Sequence, residues 1–254
     1  MSQNAERLVI SDQSKQDIIY NEHLARYNLA KQLVAGKTVL DVACGSGYGS
    51  QLLAQAGAVK VVGVDIDSAT IQQAQQQYFA DNLQYLVDSA ESLEKINEQF
   101  DIIVSFETIE HLQNYQQYLL ALRRVLKSDG LALISTPNKQ AFDQVNNPYH
   151  LQEFTEQEFV SELKKLWPEV KLVKQYNALA SIIDVNSQIT HFNSQPREDA
   201  LYLLAICSNQ PVTVELANVV SANIQALERW SNNPAHQLII KLYKILVALK
   251  ILKR

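Results

Sequence analysis

Apolar and polar positions along this chain follow two rhythms. Short, nearly continuous apolar runs fall at 38–42, 60–65, 83–87, 100–106, 131–136, 170–176 and 200–207. Runs of this length, rich in Val, Ile and Leu, are what strands buried on both faces look like. Between them the spacing turns helical. From Ser14 to Val34, residues Ile18, Ile19, Leu24, Tyr27, Ala30, Leu33 and Val34 recur at i, i+3 and i+4. Further helices are predicted over 50–56, from Asp67 or Ser68 as cap to Tyr78, over 89–96, over 114–127 and, behind a Thr155/Glu158 capping box, to Leu166. Strand alternating with helix predicts an α/β fold with a mostly parallel sheet. Ser128-Asp129-Gly130 reads as a turn and Pro137-Asn138 as a strand stop. The last two strands read as a closing hairpin.

Three stretches stand outside that alternation. Residues 1–13 read as a loose arm. Residues 177–199, with His191, Phe192, Pro196 and Arg197, read as a long insertion suited to covering a substrate. Residues 212–230 and 235–253 read as two helices broken at Asn232-Asn233-Pro234. The expected division is one domain over 1–209 and a helical extension over 210–254.

Composition narrows the class. The 254 residues are 47% hydrophobic and 19% charged, which marks a globular chain, and the net charge of −5 gives no support to nucleic-acid binding. The N-terminus lacks a signal-peptide core, and no apolar run approaches the ~20 residues that span a bilayer. Two distant cysteines, Cys44 and Cys207, carry no metal spacing, so the expected compartment is a reducing cytoplasm. One charge asymmetry matters. The segment 235–254 holds Lys241, Lys244, Lys250, Lys253 and Arg254 and no acid. That tail suits a membrane surface or an acidic partner, and equally helix packing in a homodimer.

The chemistry starts at Val39-Leu40-Asp41-Val42-Ala43-Cys44-Gly45-Ser46-Gly47-Tyr48-Gly49. A buried strand ends in an acid, breaks into glycines and enters a helix. Glycines there admit unusual backbone angles and let a ligand approach the main chain. A second acid, Asp65, ends the next strand twenty residues after Gly45. An acid in that place accepts hydrogen bonds from ribose hydroxyls. Ribose alone does not separate a nicotinamide dinucleotide from S-adenosylmethionine. The pattern here is Gly-x-Gly-x-Gly, not the Gly-x-Gly-x-x-Gly of pyrophosphate loops, and Asp41 would repel a pyrophosphate while tolerating a sulfonium.

The stretch Leu40–Gly47 resembles the first motif of class I S-adenosylmethionine-dependent methyltransferases, with Ala43 where many members have a first glycine. The resemblance implies a Rossmann-like, seven-stranded, mostly parallel sheet with an antiparallel last strand, and S-adenosylmethionine as cofactor. It implies a cofactor site at Asp41, Gly45, Gly47, Asp65 with its neighbour Ile66, and Phe106. Asp88, Ser89 and Ala90 would meet the adenine, with a helix cap as the lesser reading of Asp88. Glu22–Tyr27 resembles the helix that covers the cofactor in the family. Arg26 and Tyr27 then reach the methionine carboxylate, or else Tyr27 is core and Arg26 a solvated charge.

Two loops carry the acceptor side. Glu107-Thr108-Ile109-Glu110-His111-Leu112 follows the fourth strand and resembles the Glu-His-Leu segment of small-molecule O-methyltransferases of the ubiquinone-biosynthesis and glycan-modifying kind. Asn147-Pro148-Tyr149-His150-Leu151-Gln152-Glu153-Phe154-Thr155 resembles a loop of methyltransferases found beside polysaccharide-synthesis enzymes. Methyl transfer to a hydroxyl needs a base, and histidine suits that task near neutral pH. His111 is the first candidate and His150 the second, with Glu107 or Glu110 orienting the imidazole or holding a hydroxyl. Glu107, Glu110, His111, His150 and Glu153 also include metal-ligand types, but nothing in the sequence brings them together, and no metal is assigned. The expected activity is methyl transfer to a hydroxyl of a small molecule or glycan precursor. The alternatives are a quinone or aromatic O-methyltransferase and a catalytically silent cofactor-binding scaffold.

Overall fold

The computed structural model describes residues 18–141, 147–177, 180–184, 200–213 and 215–222. Its elements in order are α1 (Ile18–Ala30), β1 (Thr38–Val42), α2 (Tyr48–Gln55), β2 (Lys60–Asp65), α3 (Ser68–Gln77), β3 (Leu83–Val87), β4 (Phe100–Ser105), α4 (Tyr115–Val125), β5 (Leu126–Pro137), α5 (Glu156–Lys164), β6 (Glu169–Asn177), β7 (Ala180–Asp184), β8 (Tyr202–Ser208) and β9 (Val219–Ala222). They form one sheet in the order β3-β2-β1-β4-β5-β8-β6-β7-β9. Strands β1 to β5 pair in parallel, and β8 runs antiparallel between β5 and β6. Those seven strands are the expected Rossmann-like arrangement.

Alternate side chains send the core to both faces. Leu40 and Ile103 pack under α4 and α5 with Tyr118, Leu122, Phe159 and Trp167. Val39, Ile102 and Val104 pack under α1 and α2 with Leu29 and Leu53. The strand order reverses between β1 and β4, so their carboxyl ends open a crevice, the usual ligand position in such sheets.

The structure corrects four expectations. Residues 89–96 form turns, not a helix. Leu93 sits at φ +48, a left-handed angle that interrupts a helix. The insertion is not loop throughout, because Ala180–Asp184 is a strand antiparallel to β6. Residues 219–222, expected inside a helix, pair with β7 instead. Their β-branched Val219-Val220 pair suits the pleated surface better than a helical turn. Strand β5 begins at Leu126, where the sequence pattern still read as helix, and an irregular register against β4 absorbs the Ser128–Gly130 turn. Asp67 caps α3, and the Thr155/Glu158 capping box opens α5, both as expected. The arm 1–13, the remainder of the insertion and the basic segment 235–254 lie outside the described residues. Among the described residues, no helix is long and apolar enough to cross a membrane.

Candidate functional site

The glycine turn after β1 is held by backbone geometry. Ala43, Gly45 and Gly47 all adopt left-handed angles, at φ +60, +54 and +87. Gly47 has no room for a side chain, since a Cβ would lie 2.6 Å from the Tyr85 hydroxyl. A Cβ at Gly45 would meet nothing within 4 Å. The front of the turn is therefore open. The Gly45 amide donates to Asp65 Oδ2 at 3.0 Å, and the Asp67 amide to Oδ1 at 3.0 Å. One carboxylate thus ties the first turn to the second strand while facing the crevice.

That crevice is a cavity of about 970 Å³. Tyr27, Gly45, Asp65, Ile66, Ser89, Ala90, Phe106, Glu107, Glu110, His111 and His150, all singled out in the sequence, line it. Arg26, Asp41, Gly47 and Asp88 do not. Asp88 accepts from the Ser89 and Lys95 amides at 2.9 and 2.8 Å; with no helix following it to cap, it shapes the turns that bring Ser89 and Ala90 to the wall. Asp41 is buried beneath the turn. It accepts from Ser50 Oγ at 2.7 Å and from the Tyr27 hydroxyl at 3.2 and 3.3 Å. Burial pushes its carboxyl up to about 7, against the pull of those two hydroxyls.

Arg26 turns away from the cavity. Its Nη1 donates to Gln175 Oε1 at 2.8 Å and lies 3.9 Å from Glu107 Oε1, while the Tyr202 ring covers the guanidinium at 4.7 Å. Its Nε and Nη2 are buried without hydrogen-bond partners. It works from behind the wall, as a buried positive charge under Glu107 and Tyr202. No motif points to Tyr202, whose hydroxyl donates to Glu22 Oε2 at 2.7 Å. Both groups line the cavity. Tyr202 opens β8 far from any motif, and only the antiparallel return of that strand brings it here.

The other end of the cavity joins two loops. A 3-10 turn, Ile109–His111, follows β4, and the loop 147–154 precedes α5. Gln152 Nε2 donates to the Ile109 and Leu112 carbonyls at 2.6 and 2.8 Å, and the Leu151 amide donates to the Glu110 carbonyl at 2.8 Å. The stitching puts the His111 and His150 rings edge to face, 5.1 Å apart. His111 Nδ1 lies 3.1 Å from the Tyr149 carbonyl, which can only accept. That nitrogen therefore carries the proton, and the lone pair lies on Nε2. His150 Nδ1 meets Glu153 Oε1 at 3.2 Å, and its Nε2 meets Asn147 Nδ2 at 3.0 Å. Glu107, at φ +51, accepts from Ser135 Oγ at 2.6 Å. Glu110 is 1% exposed, and neither carboxylate oxygen has a hydrogen-bond partner. Burial and then the nearby Glu107 charge push its carboxyl well above the usual range. Glu110, His111 and His150 each offer one ligand atom, all within 4.8 Å of one another.

The wall as a whole is acidic. Glu22, Asp65, Glu91, Glu107, Glu110 and Glu153 line it, with no lysine or arginine among the described residues of the lining. Such a cavity favours cationic ligands and disfavours phosphates.

Residues 40–134 match the family described as a methyltransferase domain. The chain is 31% identical over 156 residues to a probable S-adenosylmethionine-dependent methyltransferase of Mycolicibacterium smegmatis, covering 60% of each. It is 36% identical over 107 residues to a ubiquinone biosynthesis O-methyltransferase of a Ruegeria species, covering 41% of this chain and 43% of the relative. The chain thus spans well under two thirds of the length of these relatives. Among solved structures, a TehB-like S-adenosylmethionine-dependent methyltransferase from Corynebacterium glutamicum superposes with a TM-score of 0.52 at 19% identity, over 73% of this chain and 88% of that one. Residues 40–134 are thus similar in sequence to methyltransferase domains, and the sheet has the fold of the solved methyltransferase structure.

Proposed function

We propose that this protein transfers a methyl group from S-adenosylmethionine to a hydroxyl of a small molecule or glycan precursor. The observation that carries the reading is the acidic cavity in front of the open glycine turn. It offers a cation a wall of six carboxylates, one of them Asp65 at the ribose position. Gly45 leaves its front clear for a cofactor backbone, and Ile66, Ser89 and Ala90 form the side that would meet adenine. When bound, the cofactor supplies an electrophilic methyl on a sulfonium; the carbon–sulfur bond breaks as the carbon–oxygen bond forms, and its electron pair returns to sulfur.

The chain's own residues do the rest. The stitched loops hold the acceptor beside His111, and holding reactants in line carries much of such a displacement. His111, its Nδ1–H donated to Tyr149, takes the hydroxyl proton on Nε2. His150 has both ring nitrogens engaged, which suits it to orienting and not to deprotonation. The acidic character of the described lining favours an acceptor without phosphate at the reacting end.

A quinone or aromatic acceptor is the second reading. The similarity to the Ruegeria O-methyltransferase and the rings of Phe106, Tyr149 and Tyr202 on the wall favour it. Contact of the basic segment 235–254 with a membrane would bring the site to a lipid-borne acceptor of either kind.

Calorimetric titration with S-adenosylmethionine and with NADH, followed by mass-spectrometric screening of phenols, quinols and neutral sugars for a 14 Da gain, tests the reading. Saturable binding of the sulfonium with methylation of a hydroxyl is expected. Binding without turnover on any acceptor would favour the scaffold reading, and binding of the dinucleotide alone would overturn the assignment.

A further inference from the structure

We propose that Glu110, His111 and His150 form a site for one divalent transition-metal ion at the acceptor end of the cavity. Two imidazoles and one carboxylate come from two loops far apart in sequence, and their ligand atoms lie within 4.8 Å of one another. Metal–nitrogen bonds of about 2.0–2.1 Å place two ligands of one ion ~3–4 Å apart. His111 Nε2 and Glu110 Oε1 are separated by 3.9 Å, already within that spacing and too far for a hydrogen bond.

Three further observations support an ion here. The first is Glu110 itself. A buried carboxylate with no hydrogen-bond partner on either oxygen is costly, and a bound cation removes the cost. The second is the outer partners of the histidines. Metal-ligating histidines donate their other ring N–H to a carbonyl or carboxylate, which fixes the tautomer. His111 Nδ1 meets the Tyr149 carbonyl at 3.1 Å, and His150 Nδ1 meets Glu153 at 3.2 Å. Both arrangements place the lone pair on Nε2. On His150, Asn147 Nδ2 now occupies that lone pair at 3.0 Å and would give way to the ion. The third is rigidity. Gln152 bridges the Ile109 and Leu112 carbonyls, so the loop bearing His150 is fastened to the turn bearing the other two ligands.

Two nitrogen donors select a borderline ion such as Zn²⁺ or Fe²⁺ over Mg²⁺, which prefers oxygen alone. Three protein ligands leave positions open toward the cavity for the acceptor hydroxyl. This deepens the proposed function and rests on it for the identity of the acceptor group. With an ion bound, His111 is a ligand and no longer the base. The ion lowers the pKa of the coordinated hydroxyl, whose proton passes to water before the methyl arrives.

The test uses the full chain stripped with a chelator and titrated with Co²⁺, read by its visible absorption, and with Zn²⁺ by calorimetry. One equivalent should bind, with a Co²⁺ spectrum of mixed nitrogen and oxygen ligation. Glu110→Gln and His150→Ala should each weaken binding by tenfold or more. Circular dichroism checks that both variants fold. S-adenosylmethionine affinity is measured on the wild type, with and without the metal, as an independent readout. No stoichiometric binding by the wild type, or equal affinity in both folded variants, overturns the site. If the sulfonium binds and the metal does not, the site alone fails. If the metal binds and the sulfonium does not, the methyltransferase reading fails and the site stands.

Discussion

The two ends of the cavity are built on different principles. At the cofactor end, the buried acids are satisfied by nearby amides and hydroxyls. Asp65 accepts from two amides, Asp88 from two more, and Asp41 is held by two hydroxyls. At the acceptor end, the candidate groups come from residues 107–111 and 147–153, and Glu110 is buried with no hydrogen-bond partner on its carboxyl oxygens. The first end is a finished receptacle whose form the backbone dictates. The second is a cluster of functional groups pressed together and left incomplete, as a site that must engage a reacting atom has to be.

The comparison breaks most sharply at His111. His111→Ala should lower turnover by about 10²-fold or more, whether the imidazole serves as base or as ligand, while S-adenosylmethionine affinity stays within about threefold. Turnover by transfer assay and affinity by calorimetry separate the two ends. A variant that loses cofactor affinity and keeps its rate would merge them. Asp65→Ala should do the reverse, weakening the cofactor by more than tenfold with less effect on saturated turnover. It also strips an acceptor from the Gly45 and Asp67 amides, so its melting temperature should fall by a few degrees. Unchanged affinity would remove the ribose assignment.

The same contrast decides what could be read from the sequence. The cofactor end is local: strand, glycine turn and second acid lie within the 25 residues from Asp41 to Asp65, and their spacing already implies their meeting. The acceptor end is tertiary. His111 and His150 could be named as chemical candidates, but their edge-to-face contact depends on Gln152, an ordinary loop glutamine in the sequence. Arg26 misled for a related reason. Its place in a cofactor-covering helix suggested a ligand contact, yet Gln175 on β6 and Tyr202 on β8 draw it behind the wall. Strands β7 and β9 escaped notice because each completes its hydrogen bonding only against the other and the sheet edge.

A smaller effect shows at Asp41 as a pH dependence of stability. Asp41 keeps its proton up to about pH 7 in the folded chain, against about 3.8 for an ordinary aspartate. Between those values the folded state binds the extra proton, so stability falls as pH rises, by ~1.4 kcal/mol per unit. Asp41→Asn removes this contribution. Denaturant unfolding across pH 4 to 8 should show the variant losing less stability than the wild type over the window, and parallel curves would show that the Tyr27 and Ser50 hydroxyls hold the carboxylate charged.

The smallest predicted effect concerns backbone strain, which each end carries at one residue on the cavity wall. Ala43 at φ +60 opens the glycine turn, and Glu107 at φ +51 ends the fourth strand's exit. A left-handed angle costs a residue with a Cβ about 1–2 kcal/mol, and glycine's extra chain entropy offsets about 0.5–1 of any relief. Ala43 contributes only a methyl group, so Ala43→Gly should stabilise the fold by about 0.5–1 kcal/mol and leave cofactor affinity within about threefold. Glu107 uses its strain. Its carboxylate accepts from Ser135 and faces the buried Arg26 charge, so Glu107→Gly should destabilise despite relieving the same angle. Opposite signs in denaturant unfolding at these two positions would show that strain at the cofactor end is incidental and at the acceptor end functional. Equal gains would mean that Glu107 is as dispensable to the fold as a methyl group.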